Sequence, residues 1–329
     1  MHMADALISP VVGGTFWVAS AAGIAFSARK LKESSEENRI PLMGVLAAFI
    51  FAAQMINFTI PGTGSSGHLG GGMILAILLG PWAGFLAMAS VLTVQALFFA
   101  DGGLLALGCN IFNLGVPTCF IAYPLIYRPL IGKNPGANRT LIVALLAAVV
   151  GLQLGAFGVV LETTFSGIAE LPFRTFVLTM LPIHLGIGIV EGLVTAAVVS
   201  FVYKARPDFI NVTELTQTPA LSLKQLAMTL LAIALLCGGI ASWFASEAPD
   251  GLEWSMAKVS GHKELKGPPD RLHTTLGAMQ EKTALLPDYG FKEGEGSSRA
   301  GTSTAGVVGG LLTLGVVGGI ALLLRRKKS

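Results

Sequence analysis

The chain has 329 residues, 53 % of them hydrophobic and 12 % charged, with a formal net charge of +3 and a mean hydropathy of +0.69. Soluble domains carry about 25 % charged residues, so a soluble helical protein is excluded: too little polar surface remains to cover a core of this size. The basic residues sit beside apolar runs and form no patch for nucleic acid.

The opening residues, MHMADALISP, place no basic stretch ahead of the first apolar run. No cleaved signal peptide is therefore expected, and the bulk of His2 disfavours removal of Met1. Apolar runs at 11–28, 41–58, 69–79, 82–100, 109–127, 140–161, 176–203, 223–245 and 307–324 predict nine helices. Residues 69–100 are too long for one untilted helix, and Gly80-Pro81 interrupts them. Two helices are expected there, the first short and packed within the bundle.

With the N-terminus outside, this parity places every short basic loop on the cytoplasmic side: Arg29, Lys30, Lys32 and Arg39, then Arg128, Lys133 and Arg139, then Lys204, Arg206 and Lys224, then Arg325 to Lys328. The expected orientation has the N-terminus outside and the C-terminus inside. Glycines within the runs, Gly151, Gly155, Gly158, Gly186, Gly188 and Gly192 among them, suit close helix packing in lipid. Cys109, Cys119 and Cys237 lack CxxC spacing and read as small buried residues.

Beyond residue 203 the sequence changes character. Residues 204–222 form a polar linker, 246–306 carry most of the acidic residues without a long apolar run, and 290–306 are poor in bulky residues and read as flexible. The expected fold is an all-α integral membrane protein. A seven-helix N-terminal bundle (1–203) precedes a C-terminal two-span hairpin (204–329) with an extracytoplasmic loop over 246–306.

Two histidines offer chemistry on the outer side, His2 near the terminal amine and His68 in the glycine-rich loop IPGTGSSGHLGGG (60–72). The Met1 amine, the deprotonated amide nitrogen of His2 and its Nδ1 can chelate one ion in five- and six-membered rings. The His68 ring would complete a square plane, which favours Ni(II) or Cu(II) over tetrahedral zinc. Gln54, Asn57, Gln95, Asp101, Asn110 and Asn113 lie near the outer ends of their runs, where they can hold such a site or simply pair helices. His184 and Glu191, seven residues apart, share roughly one helical face and suit proton coupling, packing or a partner contact. No GxxxxGK[ST] loop or HExxH pattern occurs, and GHKELKG (261–267) lacks the second histidine. A catalytic or ATP-binding role is not expected.

Four ordered stretches, MHMADALISP, SGHLGGG, QALFFADGGLLALGCNIFNLG (95–115) and LPIHLGIGIVEG (181–192), make residues 1–203 resemble the substrate-specific membrane component of nickel and cobalt energy-coupling-factor transporters. PDGLE (249–253), directly after a span, resembles the accessory component of nickel-type members, here in the same chain. The resemblance implies metal ligands at Met1 (amine), His2 (amide and ring) and His68, supported by Asn57, Gln95, Asp101 and Asn110. It also implies uptake of Ni(II), or alternatively Co(II) for cobalamin synthesis, with a membrane scaffold subunit and cytoplasmic ATP-binding-cassette ATPases as partners. Loops around Gly80-Pro81, 128–139 and 204–222 are the expected scaffold contacts. Asp250 and Glu253 could steer cations or form a turn, and His262 and His273 carry no assigned role. Capture of an organic solute and a non-transport structural role stay open as alternatives.

Overall fold

A computed structural model describes residues 2–33, 40–133, 135–207, 220–262, 265, 267–292 and 299–324. Met1, Arg39, most of the 204–222 linker and the basic run 325–328 lie outside the described residues. Among the described residues seven helices are long and apolar enough to cross a membrane. Five precede residue 206: α1 (Pro10–Glu33), α4 (Pro81–Phe99), α5 (Leu107–Ile131), α6 (Ala137–Ser166) and α7 (Phe173–Ala205). Two follow it: α8 (Leu223–Gly239), prolonged by a turn to Phe244, and α11 (Arg299–Leu324). Between α1 and α4 lie the shorter α2 (Ile40–Gln54) and α3 (Gly72–Leu79).

The expected division into seven spans plus a separate two-span hairpin is therefore corrected to seven long helices among the described residues. At a rise of about 1.5 Å per residue, the 15 residues of α2 and the 8 of α3 fall short of a hydrocarbon core about 30 Å thick. The short, packed helix expected at 69–79 is α3, whereas hydropathy marked α2 as a span because a helix buried on all sides is apolar all round, as a lipid-facing helix is. Every residue of α3 is buried, and the chain reverses at Gly80–Pro81 to lay α4 against it.

The C-terminal pair is not set apart either. Both α8 and α11 pack on α2, and α11 also touches α4. The contacts are glycine-mediated. A methyl on Gly238 would lie 3.1 Å from Gly306 Cα, where α8 meets α11, and one on Gly44 of α2 would lie 3.0 Å from the Leu314 carbonyl. Gly309 of α11 lies directly against the Phe51 ring. Backbones approach this closely only where a side chain is missing, and in lipid such packing is the main force joining helices.

Within α5, residues Pro117–Tyr127 wind more widely than an α-helix. Pro124, which lacks an N–H donor and whose ring crowds the preceding turn, lies inside this stretch. The paired helices α6 and α7 are the longest, with Gly188 and Gly192 of α7 lying against Val149 and Leu145 of α6.

The fold is not wholly helical. Between α2 and α3 a small antiparallel hairpin joins β1 (Phe58–Ile60) to β2 (Ser65–Gly67), pairing Phe58 with Gly67 and Ile60 with Ser65. Past α8 come two helices too short or too polar to span, α9 (Gly251–Ser260) and α10 (Arg271–Thr283).

Gly306→Val drives a side chain into the Gly238 carbonyl, whereas Gly310 on the same helix has open space beside it. Overpacking of this kind costs about 1–3 kcal/mol. G306V is expected to melt at a clearly lower temperature in detergent than G310V, and equal melting would contradict the α8–α11 contact.

Candidate functional site

The first residues are strapped into the bundle. Met3 is fully buried, and Asn110 grips it from both sides: the Met3 amide donates to Asn110 Oδ1 at 2.8 Å and Asn110 Nδ2 donates to the Met3 carbonyl at 3.2 Å. The same carbonyl accepts from the Gly103 amide at 2.9 Å, and Asp5 Oδ1 accepts from the Ala106 amide at 2.9 Å. From α10, His273 Nε2 donates to the carbonyls of Asp5 and Ile8 at 3.2 and 3.0 Å, while its Nδ1 donates to Asp270 Oδ2 at 2.6 Å. A backbone fixed at residues 3, 5 and 8 leaves residue 2 little freedom of position.

The His68 loop is fixed from below. Glu191, buried in α7, accepts from the amides of Gly70 at 2.6 Å and Gly71 at 3.0 Å, one on each carboxylate oxygen. Gln54 Nε2 donates to the Gly70 carbonyl at 2.8 Å, and Gln54 Oε1 accepts from Gln95 Nε2 at 2.9 Å. Gly71 holds φ = +77°, and a methyl there would lie 2.6 Å from Ile50, so only glycine serves at this turn. Glu191 and His184 are both buried but do not pair: His184 Nδ1 donates to the Met180 carbonyl at 2.8 Å.

These two supports bring His2 and His68 together. Their rings stack with centroids 5.0 Å apart and planes inclined by 10°. His2 Nδ1 donates to Asp101 Oδ1 at 2.9 Å, and in the neutral ring this contact leaves the lone pair on Nε2. That Nε2 is buried and has no hydrogen-bond partner among the described residues. His68 Nδ1 donates to the Leu69 carbonyl at 3.0 Å, so its lone pair is likewise on Nε2. Burial pushes the His68 ring down to about 3 and keeps it neutral, the form that can bind a metal. Burial alone would raise Asp101. The adjacent His2 ring and the Tyr289 hydroxyl, which donates to Asp101 Oδ2 at 2.5 Å, outweigh it and hold this carboxyl below its ordinary value.

A cavity of about 800 Å³ opens here, walled by His2, His68 and Asp101 together with Glu247, Asp250 and Glu253. A carboxylate-rich hollow with low-dielectric walls concentrates cations. Among the described residues no three His, Cys, Asp or Glu side chains converge to hold an ion by themselves.

The sequence-derived candidates divide. His2, His68, Asp101 and Asn110 meet around the first residues, whereas Met1 lies outside the described residues. Gln95 is one step away, its Nε2 donating to Tyr289 Oη at 3.3 Å, and Asn57 lines the cavity while its carbonyl accepts from the Ser246 amide at 2.8 Å. Asn113 instead donates to Glu162 at 2.7 Å. Sequence reasoning gave no part to Asp5 or Tyr289, left His273 unassigned, and gave Glu191 no loop contact. Asp5 carried a faint signal, a carboxylate three residues from His2; the others act through contacts that no local pattern announces.

Two stacked, half-buried imidazoles thus lie in the wall of a cavity lined by carboxylates. The chain belongs to the family described as the cobalt uptake substrate-specific transmembrane region, matched over residues 2–209, followed by a PDGLE domain over 224–326. It is a multi-pass membrane protein, the substrate-capture component of a nickel/cobalt-type energy-coupling-factor transporter, and it works with partner subunits of that type. Similar proteins include one of Archaeoglobus fulgidus provisionally named fused nickel transport protein NikMN, 34 % identical over 316 residues, 95 % of this chain and 96 % of the relative. The fused nickel transport protein NikMN of Rhodobacter capsulatus is 30 % identical over 309 residues, 88 % of either chain. A crystal structure of a transition metal transporter matches with a TM-score of 0.55 at 29 % identity, covering 65 % of this chain and 96 % of that one.

Glu191→Leu leaves the Gly70 and Gly71 amides buried without an acceptor, a loss of about 1–3 kcal/mol for each. Hydrogen exchange at these amides is expected to quicken at least tenfold while α6 is unaffected. Unchanged exchange would show that the carboxylate does not hold the loop.

Proposed function

We propose that the chain captures Ni(II), in preference to Co(II), from outside the cell with nitrogens of the Met1 amine, the His2 amide and ring, and the His68 ring. The observation that carries this reading is the stacked pair of half-buried imidazoles in the wall of the acidic cavity, with the buried Nε2 of His2 unpartnered among the described residues. Imidazole suits nickel, and ionising an amide requires a strongly polarising ion that accepts planar coordination. The fused nickel transport relatives and the PDGLE-bearing C-terminal part favour nickel over cobalt.

In this reading a hydrated cation is drawn into the cavity by its carboxylates and sheds water as the nitrogens close on it. The His2 amide proton departs as its nitrogen binds. Closing the chelate through Nδ1 also requires that nitrogen to leave Asp101, so loading exchanges a hydrogen bond for a metal bond. Asn110, which holds residue 3, and Asp101, which holds the ring, set where the donors stand before the ion arrives. Release inward follows when partner subunits, a membrane scaffold with cytoplasmic ATPases, alter the bundle and the amide regains its proton. The parity of the basic loops supports an outward N-terminus and an inward C-terminus for this route.

One feature favours a second ligand set. His2 presents Nε2, not Nδ1, as its open nitrogen, so the two stacked rings could bind through both Nε2 atoms without the terminal amine.

Adding one residue before Met1 separates these cases, because it displaces the amine and spares both rings. With the amide chelate, the extended protein is expected to lose at least nine-tenths of its bound nickel, as measured by metal analysis after dialysis, and H68A to lose a comparable share. Full nickel in the extended protein with loss in H68A would support the paired Nε2 atoms. Full nickel in both would contradict either ligand set.

A further inference from the structure

The PDGLE residues themselves have a structural account. Pro249 offers its carbonyl to the Ser66 amide at 2.8 Å, and the Ala248 carbonyl accepts from Ser66 Oγ at 2.7 Å. Asp250 then caps α9, accepting from the amides of Leu252 and Glu253 at 2.8 Å each, while Glu253 reaches back to the Asp250 amide at 3.1 Å. This reciprocal cap turns the chain sharply into the helix. A methyl on Gly251 would lie 2.9 Å from Ile183 and 3.1 Å from the His184 ring, so the turn presses its backbone onto α7. Leu252 is buried beneath it. Trp254 then donates its indole N–H to the Thr63 carbonyl at 3.0 Å. The motif and the Trp254 that follows it thus grip the β1–β2 hairpin at Ser66 and Thr63, just ahead of His68.

A second grip lies past α10. Gln280 Nε2 donates to the carbonyls of Ala96 and Gly102 at 2.9 and 2.7 Å, and the amides of Leu285 and Leu286 donate to the Phe98 carbonyl at 2.8 and 3.2 Å. These contacts bracket Asp101. The next turn drives Tyr289 inward, where its ring stacks on Phe99 at 5.2 Å and its hydroxyl meets Asp101. Asp288 and Tyr289 both hold left-handed backbone, φ = +50° and +59°. Two consecutive non-glycine residues in that region are strained, and such strain persists where surrounding contacts enforce it.

We propose that the extramembrane segment of the C-terminal part is the positioning wall of the metal site: its PDGLE turn fixes the His68 hairpin, and Tyr289 fixes Asp101 and, through it, His2. Tyr289 and Trp254 are positioning residues. Neither touches the ion, and each holds a group that holds a ligand. The inference rests on the metal-site reading above. Groups that orient metal ligands typically contribute about 10–100-fold in affinity, and the phenol stays protonated to serve as the donor, because burial and the Asp101 carboxylate both raise it.

The test uses the full chain in detergent, with nickel affinity measured by competition against a chelator and the bound ion followed by its visible absorption. Tyr289→Phe keeps the ring on Phe99 and removes only the hydroxyl. It is expected to weaken nickel binding about tenfold, because Asp101 no longer holds the His2 ring in place before the ion arrives. Trp254→Phe is expected to weaken binding severalfold and speed hydrogen exchange at 65–68. In an Asp101→Asn background, Tyr289→Phe should add little, because its effect passes through that carboxylate. Parent-like affinity in Y289F, or an undiminished further loss in the D101N background, would overturn the proposal. Equal nickel binding in the parent and H68A would mark a failure of the metal-site reading instead.

Discussion

Irregular backbone packed among apolar helices must find a partner for every amide and carbonyl, because neither lipid nor packed side chains can supply one. Here that constraint falls on residues 65–71, a stretch without helix that passes from the β-hairpin into the buried α3. Its solution is the carboxylate of Glu191, aimed at the amides of Gly70 and Gly71, with Gln54 at the Gly70 carbonyl. A glutamate within a long apolar helix is costly to bury. Two amide donors offset that cost and yield a stiff turn carrying His68 at its edge. The rest of the site is arranged around this fixed imidazole.

The N-terminal strap obeys the same logic from the opposite direction. Chain termini are usually loose, yet residues 3 to 8 are tied to the Gly103–Ala106 turn, to Asn110 and to His273. A histidine at position 2 therefore acts as part of the bundle, not as a dangling end. Pre-positioning of this kind lowers the ordering cost that a flexible chelating peptide would meet on binding. The C-terminal part is joined to the structure along its length: α8 and α11 lie on α2, and the segment between them touches both the hairpin and the turn carrying Asp101.

Much of the architecture was legible in the sequence because apolar length and basic flanks report membrane helices directly. The break at Gly80-Pro81 was equally plain, since proline starts a helix and ends the one before it. Hydropathy could not tell α2 from a span: burial in protein and burial in lipid demand the same residues. Nor could it show that the last two helices join the first bundle, because glycines at 238, 306 and 309 announce close approach without naming the neighbour. His2 and His68 could be singled out from residue type and setting, and they lie ring on ring. Tyr289 could not. Its meeting with Asp101 spans 188 positions of the chain and depends on a strained turn that no sequence pattern marks.

The central claim, that nitrogens of the first two residues and of His68 form the capture site, is tested most directly by X-ray absorption of the nickel-loaded full chain. A planar shell of four nitrogens with imidazole scattering and no sulfur is the predicted result. A six-coordinate shell rich in oxygen would contradict it and place the ion among the carboxylates of the cavity instead.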